Sequence, residues 1–312
     1  MSCLHLKNLT VAFDTSMGRV TAVDDVSLDH EMKETLALVG ETGCGKSIIA
    51  RSILKLLPDN TVLSGEILYR DRDLLRLSER ELAGIRGQEI AIIFQNPTLA
   101  LNPVYRIGDQ ISELFRIHKK ASYKESKEQV LSLLGRMGFE NPENALHMYP
   151  SQFSEGMNQR VLIALAMALH PKIILADEPT KGLDERLKED ILKELMKIKQ
   201  EKESSLFLIT HDLDAAQKIA DRVALMYCGQ IVEIALSNDF FAEPFHPYGR
   251  ALLRSLPVHG FAPIPGASPS MISPPTGCRF HPRCEERLEV CGHENPPLIE
   301  QSGRTVRCHL YR

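Results

Sequence analysis

Apolar and polar positions alternate from the start of the chain. Residues 4–13 and again 20–28 show a period-2 alternation of apolar and polar positions, the spacing of half-buried strands. At 35–39, Thr-Leu-Ala-Leu-Val is a short unbroken apolar run of the kind found in a strand covered on both faces, and it stops at Gly40. Past a glycine-rich turn the period lengthens to that of a helix over 47–56, ended by Pro58, and 90–94 is another short buried strand. From 95 to about 159 the strand signal disappears and amphipathic helices take over at 110–118 and 122–137. Alternation then resumes, with helices over 160–169, 186–200 and 213–220 and strands over 173–176, 206–209 and 223–227. The pattern predicts an α/β fold: a mainly parallel sheet covered by helices, N-terminal antiparallel strands and an inserted helical subdomain.

Composition adds a tail to this picture. Beyond Pro257 the chain turns rich in Pro, Gly, Ser and Cys, which predicts loops without a large core of their own. The 312 residues suit one large domain with an appendage. With 43% hydrophobic and 25% charged residues a sizeable core is affordable, and the slightly acidic balance of −4 argues against a surface built for nucleic acid. The longest apolar run, 161–169, is broken by His170-Pro171-Lys172, far short of the roughly 20 residues of a spanning helix. The first residues, from Met1 to Lys7, lack the basic-then-apolar pattern of a signal peptide. The expectation is a cytosolic chain whose membrane role, if any, runs through partners. Seven cysteines are unevenly spread: Cys3, Cys44 and Cys228 are scattered, while Cys278, Cys284, Cys291 and Cys308 crowd the tail. In a reducing cytosol such a cluster points to metal ligation more than to disulfides.

The turn after the 35–39 strand carries the sharpest chemistry. Gly40-Glu41-Thr42-Gly43-Cys44-Gly45-Lys46-Ser47 matches G-x-x-x-x-G-K-[ST] at every fixed position, with a strand before it and a helix after it. Glycines let backbone N–H groups curl around phosphates without Cβ clashes. Lys46 supplies a point charge for the β- and γ-phosphates, Ser47 a hydroxyl for Mg²⁺, and the helix N-terminus a favourable dipole. The bland reading is a glycine-rich turn that matches by chance, and the strand–loop–helix context argues against it. A second site closes the apolar strand Ile173-Ile174-Leu175-Ala176 with Asp177-Glu178. Beside a phosphate loop, Asp177 reaches Mg²⁺ and Glu178 polarises the attacking water.

Taken together, these residues resemble the ABC ATPase family. The resemblance makes Gln95 the glutamine that senses metal and γ-phosphate, and Ser154-Glu155-Gly156-Met157-Asn158-Gln159-Arg160 the signature sequence. It makes Leu183-Asp184 the D-loop, His211 the switch histidine on the γ-phosphate, and Phe13 the aromatic that stacks on adenine. Singly, a Gln95 or a His211 is more often an ordinary polar residue at a strand end; it is the ordered set that carries the reading. It implies ATP binding and hydrolysis, with Glu178, His211 and Gln95 catalytic. It also implies an ATP-binding domain over 1–255, with its core at 1–95 and 160–255 and its helical subdomain at 96–159, followed by a tail over 256–312. One departure stands out: Phe153 and Glu155 replace the leucine and first glycine of the usual signature. In the family one subunit's signature presses on the γ-phosphate held by the other. A carboxylate at Glu155 is therefore expected to weaken the composite site that uses this signature, the alternative being that it points to solvent at no cost.

The tail narrows the resemblance to oligopeptide/dipeptide importer ATPases. The segments carrying it are 226–233, 246–253, Gly277-Cys278-Arg279-Phe280-His281-Pro282-Arg283-Cys284, Val290-Cys291 and 306–310. That subfamily implies a heterodimer with a second related ATPase, two membrane permeases and an extracytoplasmic solute-binding protein, with this chain peripheral on the cytoplasmic face. Its transported cargo is di- or oligopeptides, with nickel, metal chelates or cationic peptides as alternatives. For the four tail cysteines it favours a [4Fe–4S] cluster. Zn²⁺ is the chemical alternative, although close C-x2-4-C pairs are missing, and a metal-free tail is the third reading. A non-transport ABC ATPase acting on nucleic acid or ribosomes is the competing class, without the tandem cassettes, coiled coils or basic arms it usually carries.

Overall fold

The computed structural model describes residues 2–201, 204–257, 260 and 262–312; Met1, on which part of the N-terminal reading falls, lies outside them. The chain divides into two compact units, Met1–Leu77 with Leu208–Arg312, and Ser78–Phe207.

The first unit opens with β1 (Ser2–Thr15), β2 (Gly18–Glu31), β3 (Thr35–Val39), α1 (Lys46–Ile53), β4 (Thr61–Tyr69) and β5 (Arg72–Asp73). β1 pairs antiparallel with β2 and with β4, so the N-terminal strands form a sheet in the order β2-β1-β4-β5. β4 has only a weak period-2 pattern, and the sequence reading omits it. β3 is buried along its whole length, as its unbroken apolar run requires. α1 turns Ile49, Ala50 and Ile53, all fully buried, to the inside.

The second unit carries α2 (Glu79–Ile85), β6 (Ile90–Ile93), α3 (Pro97–Ala100), α4 (Ile107–Lys119), α5 (Tyr123–Arg136), α6 (Pro142–His147), α7 (Glu155–Met167), β7 (Ile173–Asp177) and α8 (Glu185–Glu201). β6 and β7 are parallel neighbours. The helices α3 to α6 supply the expected helical insert. α5 starts at a reciprocal cap: the Ser122 hydroxyl accepts the Glu125 N–H, and the Glu125 carboxylate accepts the Ser122 N–H. α8 buries Ile191, Leu192, Leu195 and Ile198 on one stripe, the helical period read from the sequence.

β8 (Ser205–Thr210) returns the chain to the first unit, followed by α9 (Leu213–Ile219), β9 (Arg222–Tyr227), β10 (Gln230–Leu236), α10 (Ser237–Ala242), α11 (Pro247–Arg254), β11 (Ile299–Gln301) and β12 (Arg304–Val306). Here the sheet is mixed: β3 and β9 run parallel, while β9, β10, β12 and β11 are antiparallel in that order. The tail is therefore less of a loose loop than its composition predicts. It ends in a hairpin added to the sheet edge, and it buries Phe280, Cys291, Val306 and Cys308. Among the described residues no helix is long and apolar enough to cross a membrane.

Candidate nucleotide site and its supports

Gly40 to Gly45 connect β3 to α1, which begins with Lys46 and Ser47, and backbone geometry explains two of the glycines. A Cβ on Gly40 would lie 2.2 Å from the Met226 carbonyl oxygen, and one on Gly45 would lie 2.1 Å from that of Ala22. Gly45 also has φ 109°, in the left-handed region that side chains disfavour. Around Gly43 the space is open, with nothing within 4 Å of the Cβ position. Lys46 is 5% exposed and its Nζ donates to the carbonyls of Gly40 at 2.7 Å and Glu41 at 2.9 Å. Its ammonium is thus held over the loop by two short, charge-assisted hydrogen bonds to the loop's own carbonyls. Thr42 is exposed, Ser47 sits half-buried in the first turn of α1, and Cys44 is buried. Burial pushes the Cys44 thiol up, with Lys46 opposing, so this cysteine is an inert filler of the loop.

The loop is braced from far along the chain. Gly229 N–H donates to the Cys44 carbonyl at 2.9 Å, and the Glu41 N–H donates to the Tyr248 hydroxyl at 2.9 Å. Tyr248, Tyr227 and Phe280 form an aromatic cluster with centroids 4.6 to 5.3 Å apart. Burial raises the Tyr227 hydroxyl to about 12 and also raises that of Tyr248 well above its usual value, so both remain neutral donors and acceptors. The Glu41 carboxylate pairs with Arg283 at 2.9 Å and also accepts from the Ser268 hydroxyl. These supports, Tyr227, Tyr248, Ser268 and Arg283, are absent from the sequence reading of the site; no spacing rule links residues about 200 positions apart.

The other expected residues fall in both units. In the first, Phe13 is half-buried on β1 opposite Val20 and Thr61, and His211 is exposed directly after β8, ahead of the Asp212 cap of α9. In the second, Asp177 ends β7 fully buried, and Glu178 follows at 7% exposure. Glu178 has φ 51°, a strained conformation for a residue with a side chain and one that clusters at functional sites. Gln95 lies half-buried two residues past β6.

In the second unit the start of α7 lies against the start of α8. Ser154 caps α7, its hydroxyl accepting the Met157 N–H at 3.3 Å, and Asp184 accepts the Leu187 N–H at 3.0 Å at the start of α8. A Cβ on Gly156 would stand 2.9 Å from both methyls of Leu187, so the glycine lets the two helix starts close up. Glu155 is exposed at the first position of α7, and its Oε1 would be 3.4 Å from a Cβ on Gly182. The sequence reading begins this helix at Arg160, and the structure begins it at Glu155. The signature is itself the first helical turn.

In the tail, Gly277 has φ 66°, and a Cβ there would meet the Cys291 carbonyl at 2.4 Å. That close approach lets the Cys278 N–H donate to Cys291 O at 2.9 Å. Burial raises the thiols of Cys278 and Cys308 to about 11, and every one of the four tail cysteines lies within charge-interaction range of the other three. Among the described residues, however, no three His, Cys, Asp or Glu side chains stand so as to hold a metal ion. As they lie, the four thiols do not make the tetrahedral zinc site considered from the sequence.

A strand–loop–helix phosphate cradle, acids closing a parallel strand and a capped signature helix define a nucleotide-hydrolysing cassette. The chain belongs to the ABC transporter family of ATPases: residues 23–181 match the family model "ABC transporter". Residues 232–291 match a second model, "Oligopeptide/dipeptide transporter, C-terminal region". The chain is 45% identical to the dipeptide transport ATP-binding protein DppD of Bacillus subtilis, over 98% of this chain and 94% of that one. It is 39% identical to the oligopeptide transport ATP-binding protein OppD of Escherichia coli, over 98% and 92%. Among solved structures, the ATP-binding cassette MJ0796 in a dimeric post-hydrolysis state with ADP and Pi matches with TM-score 0.68 and 28% identity, covering 75% of this chain and 98% of that one.

Proposed function

We propose that this chain is the ATP-hydrolysing subunit of an importer for di- or oligopeptides, peripheral on the cytoplasmic face of the membrane beneath two permeases and fed by a solute-binding protein. The observation that carries the reading is one chain holding both a complete phosphate cradle and a C-terminal region of the oligopeptide/dipeptide transporter type. The working division is an ATP-binding domain over 1–255 with its helical subdomain at 96–159, and a tail over 256–312. In the ATP site, Gly40 to Ser47 bind the phosphates and Phe13 faces the base. Ser47, Gln95 and Asp177 would hold the Mg²⁺, which when bound shields and orients the β- and γ-phosphate oxygens. Glu178 takes the proton of the attacking water, and His211 donates to the γ-phosphate. Ser154, Gly156 and Asp184 serve the nucleotide of a partner ATPase.

That partner is a second, related subunit, so the pair is a heterodimer. Support comes from Glu155, an acid at the N-terminus of α7, where a phosphate would otherwise meet free backbone N–H groups. The site built on this signature is then the weaker of the two. The tail cysteines Cys278, Cys284, Cys291 and Cys308 would hold a [4Fe–4S] cluster. Their mutual proximity supports this, because four cysteine thiolates around one cubane each bind a different iron. Stoichiometric iron and sulfide with broad visible absorption after anaerobic purification are expected; a colourless protein removes the cluster from the reading.

The main test is Glu178→Gln in the complex with its membrane partners. ATP hydrolysis should fall by about 100-fold or more while ATP binding persists, as for loss of a positioned general base. Full hydrolysis by this variant rejects the catalytic assignment, and hydrolysis indifferent to peptide-loaded binding protein rejects the peptide-import reading.

A further inference from the structure

The phosphate loop contains its own acid. Glu41 follows Gly40 directly, and a carboxylate there repels a triphosphate held by the same loop. Its side chain is only 21% exposed, so solvent and salt screen that repulsion weakly. Two tail groups converge on its Oε2: the Arg283 guanidinium at 2.9 Å and the Ser268 hydroxyl. Arg283 is itself fixed. Its side chain is 7% exposed, its Nε donates to the Pro265 carbonyl at 2.9 Å and its Nη1 to the Tyr227 hydroxyl at 3.2 Å. The pair joins residues 242 positions apart, so it exists only when the tail is folded onto the first unit.

We propose that Arg283 is a positioning residue of the ATP site: from the tail it neutralises Glu41 and pins its carboxylate, which makes nucleotide affinity depend on the folded tail. This rests on the ATP-binding reading of the loop. The coupling is reciprocal, so bound ATP also favours the latched tail. Arg283 precedes Cys284, which puts one of the four tail cysteines next to the latch.

The test uses the full chain, with magnesium and a fluorescent ATP analogue for binding, and KM and kcat for ATP in parallel. Arg283→Gln unmasks the acid and should weaken binding about tenfold, in KM with kcat within about twofold, as expected for a nearby like charge at low effective dielectric. Glu41→Gln alone removes the acid and leaves the Arg283 charge unopposed beside the loop, so it should bind more tightly than wild type. Adding Glu41→Gln to Arg283→Gln should return affinity to within about threefold of wild type, because the repelling charge is then gone. If the double variant stays as weak as Arg283→Gln, tail packing and not the unmasked charge sets affinity, and the proposal fails. It fails equally if Arg283→Gln binds like wild type. A wild-type chain that does not bind the analogue overturns instead the ATP reading of the loop.

Discussion

Gly45 shows how tightly single positions are determined in this site. Its φ of 109° and the Ala22 carbonyl 2.1 Å from where a Cβ would lie leave no room for a side chain. Gly45→Ala is expected to cost about 1–3 kcal/mol and to abolish ATP binding, read by urea unfolding and by analogue binding. Variants that keep both would show that the loop tolerates a shift the packing here excludes. This glycine is legible in the sequence, because the motif encodes a backbone need that is local. Tyr248 and Arg283 are not legible. Each touches Glu41 through a contact whose only determinant is where β9, α11 and the tail pack.

At the scale of elements, helices and buried strands follow their hydrophobic period closely, and misreadings fall where polar residues do structural work. α7 starts five residues before its apolar stripe because Ser154 caps it, and because Gly156 lets α8 approach its first turn. Periodicity is blind to both effects. Ser154→Ala should lower stability by about 1 kcal/mol, the usual worth of an N-cap, measured by chemical denaturation. No change would mean that packing on α8 holds the first turn without its cap. β4 and the β11–β12 hairpin were likewise unreadable from pattern alone, since short edge strands take their pairing from neighbours already in place.

For the whole molecule, the C-terminal segment is part of the fold of the first unit, and acid should reveal it. Burial, with the Arg250 charge adding to it, pulls His246 down from 6.5 to about 3. Between those values the unfolded chain takes up a proton that the folded chain refuses. The stability this group contributes is complete above pH 6.5 and drains away as pH falls toward 3, by about 1.4 kcal/mol per pH unit. Glu233 acts in the opposite sense, because burial raises its carboxyl above 4.5 and the folded chain keeps that proton longer as pH rises. His246→Asn offers an amide oxygen in place of the ring Nδ1 that accepts the Tyr248 N–H at the start of α11, and it removes the titration. Urea midpoints at pH 7, 6 and 5 should therefore fall less steeply for the variant than for wild type. Parallel slopes would mean that His246 is not held neutral.

The sequence by itself determined the α/β alternation, the helical insert, the phosphate loop and the Asp177-Glu178 strand end. Each of these depends on residues a few positions apart, where period, turn chemistry and motif spacing act directly. Only the tertiary structure decided that Glu41 is neutralised by Arg283, that residues 154–157 form a capped helical turn, and that the backbones of Cys278 and Cys291 meet beside Gly277. Those contacts join residues far apart in the chain, and they are specified by packing and by the satisfaction of buried charge, which no local pattern records.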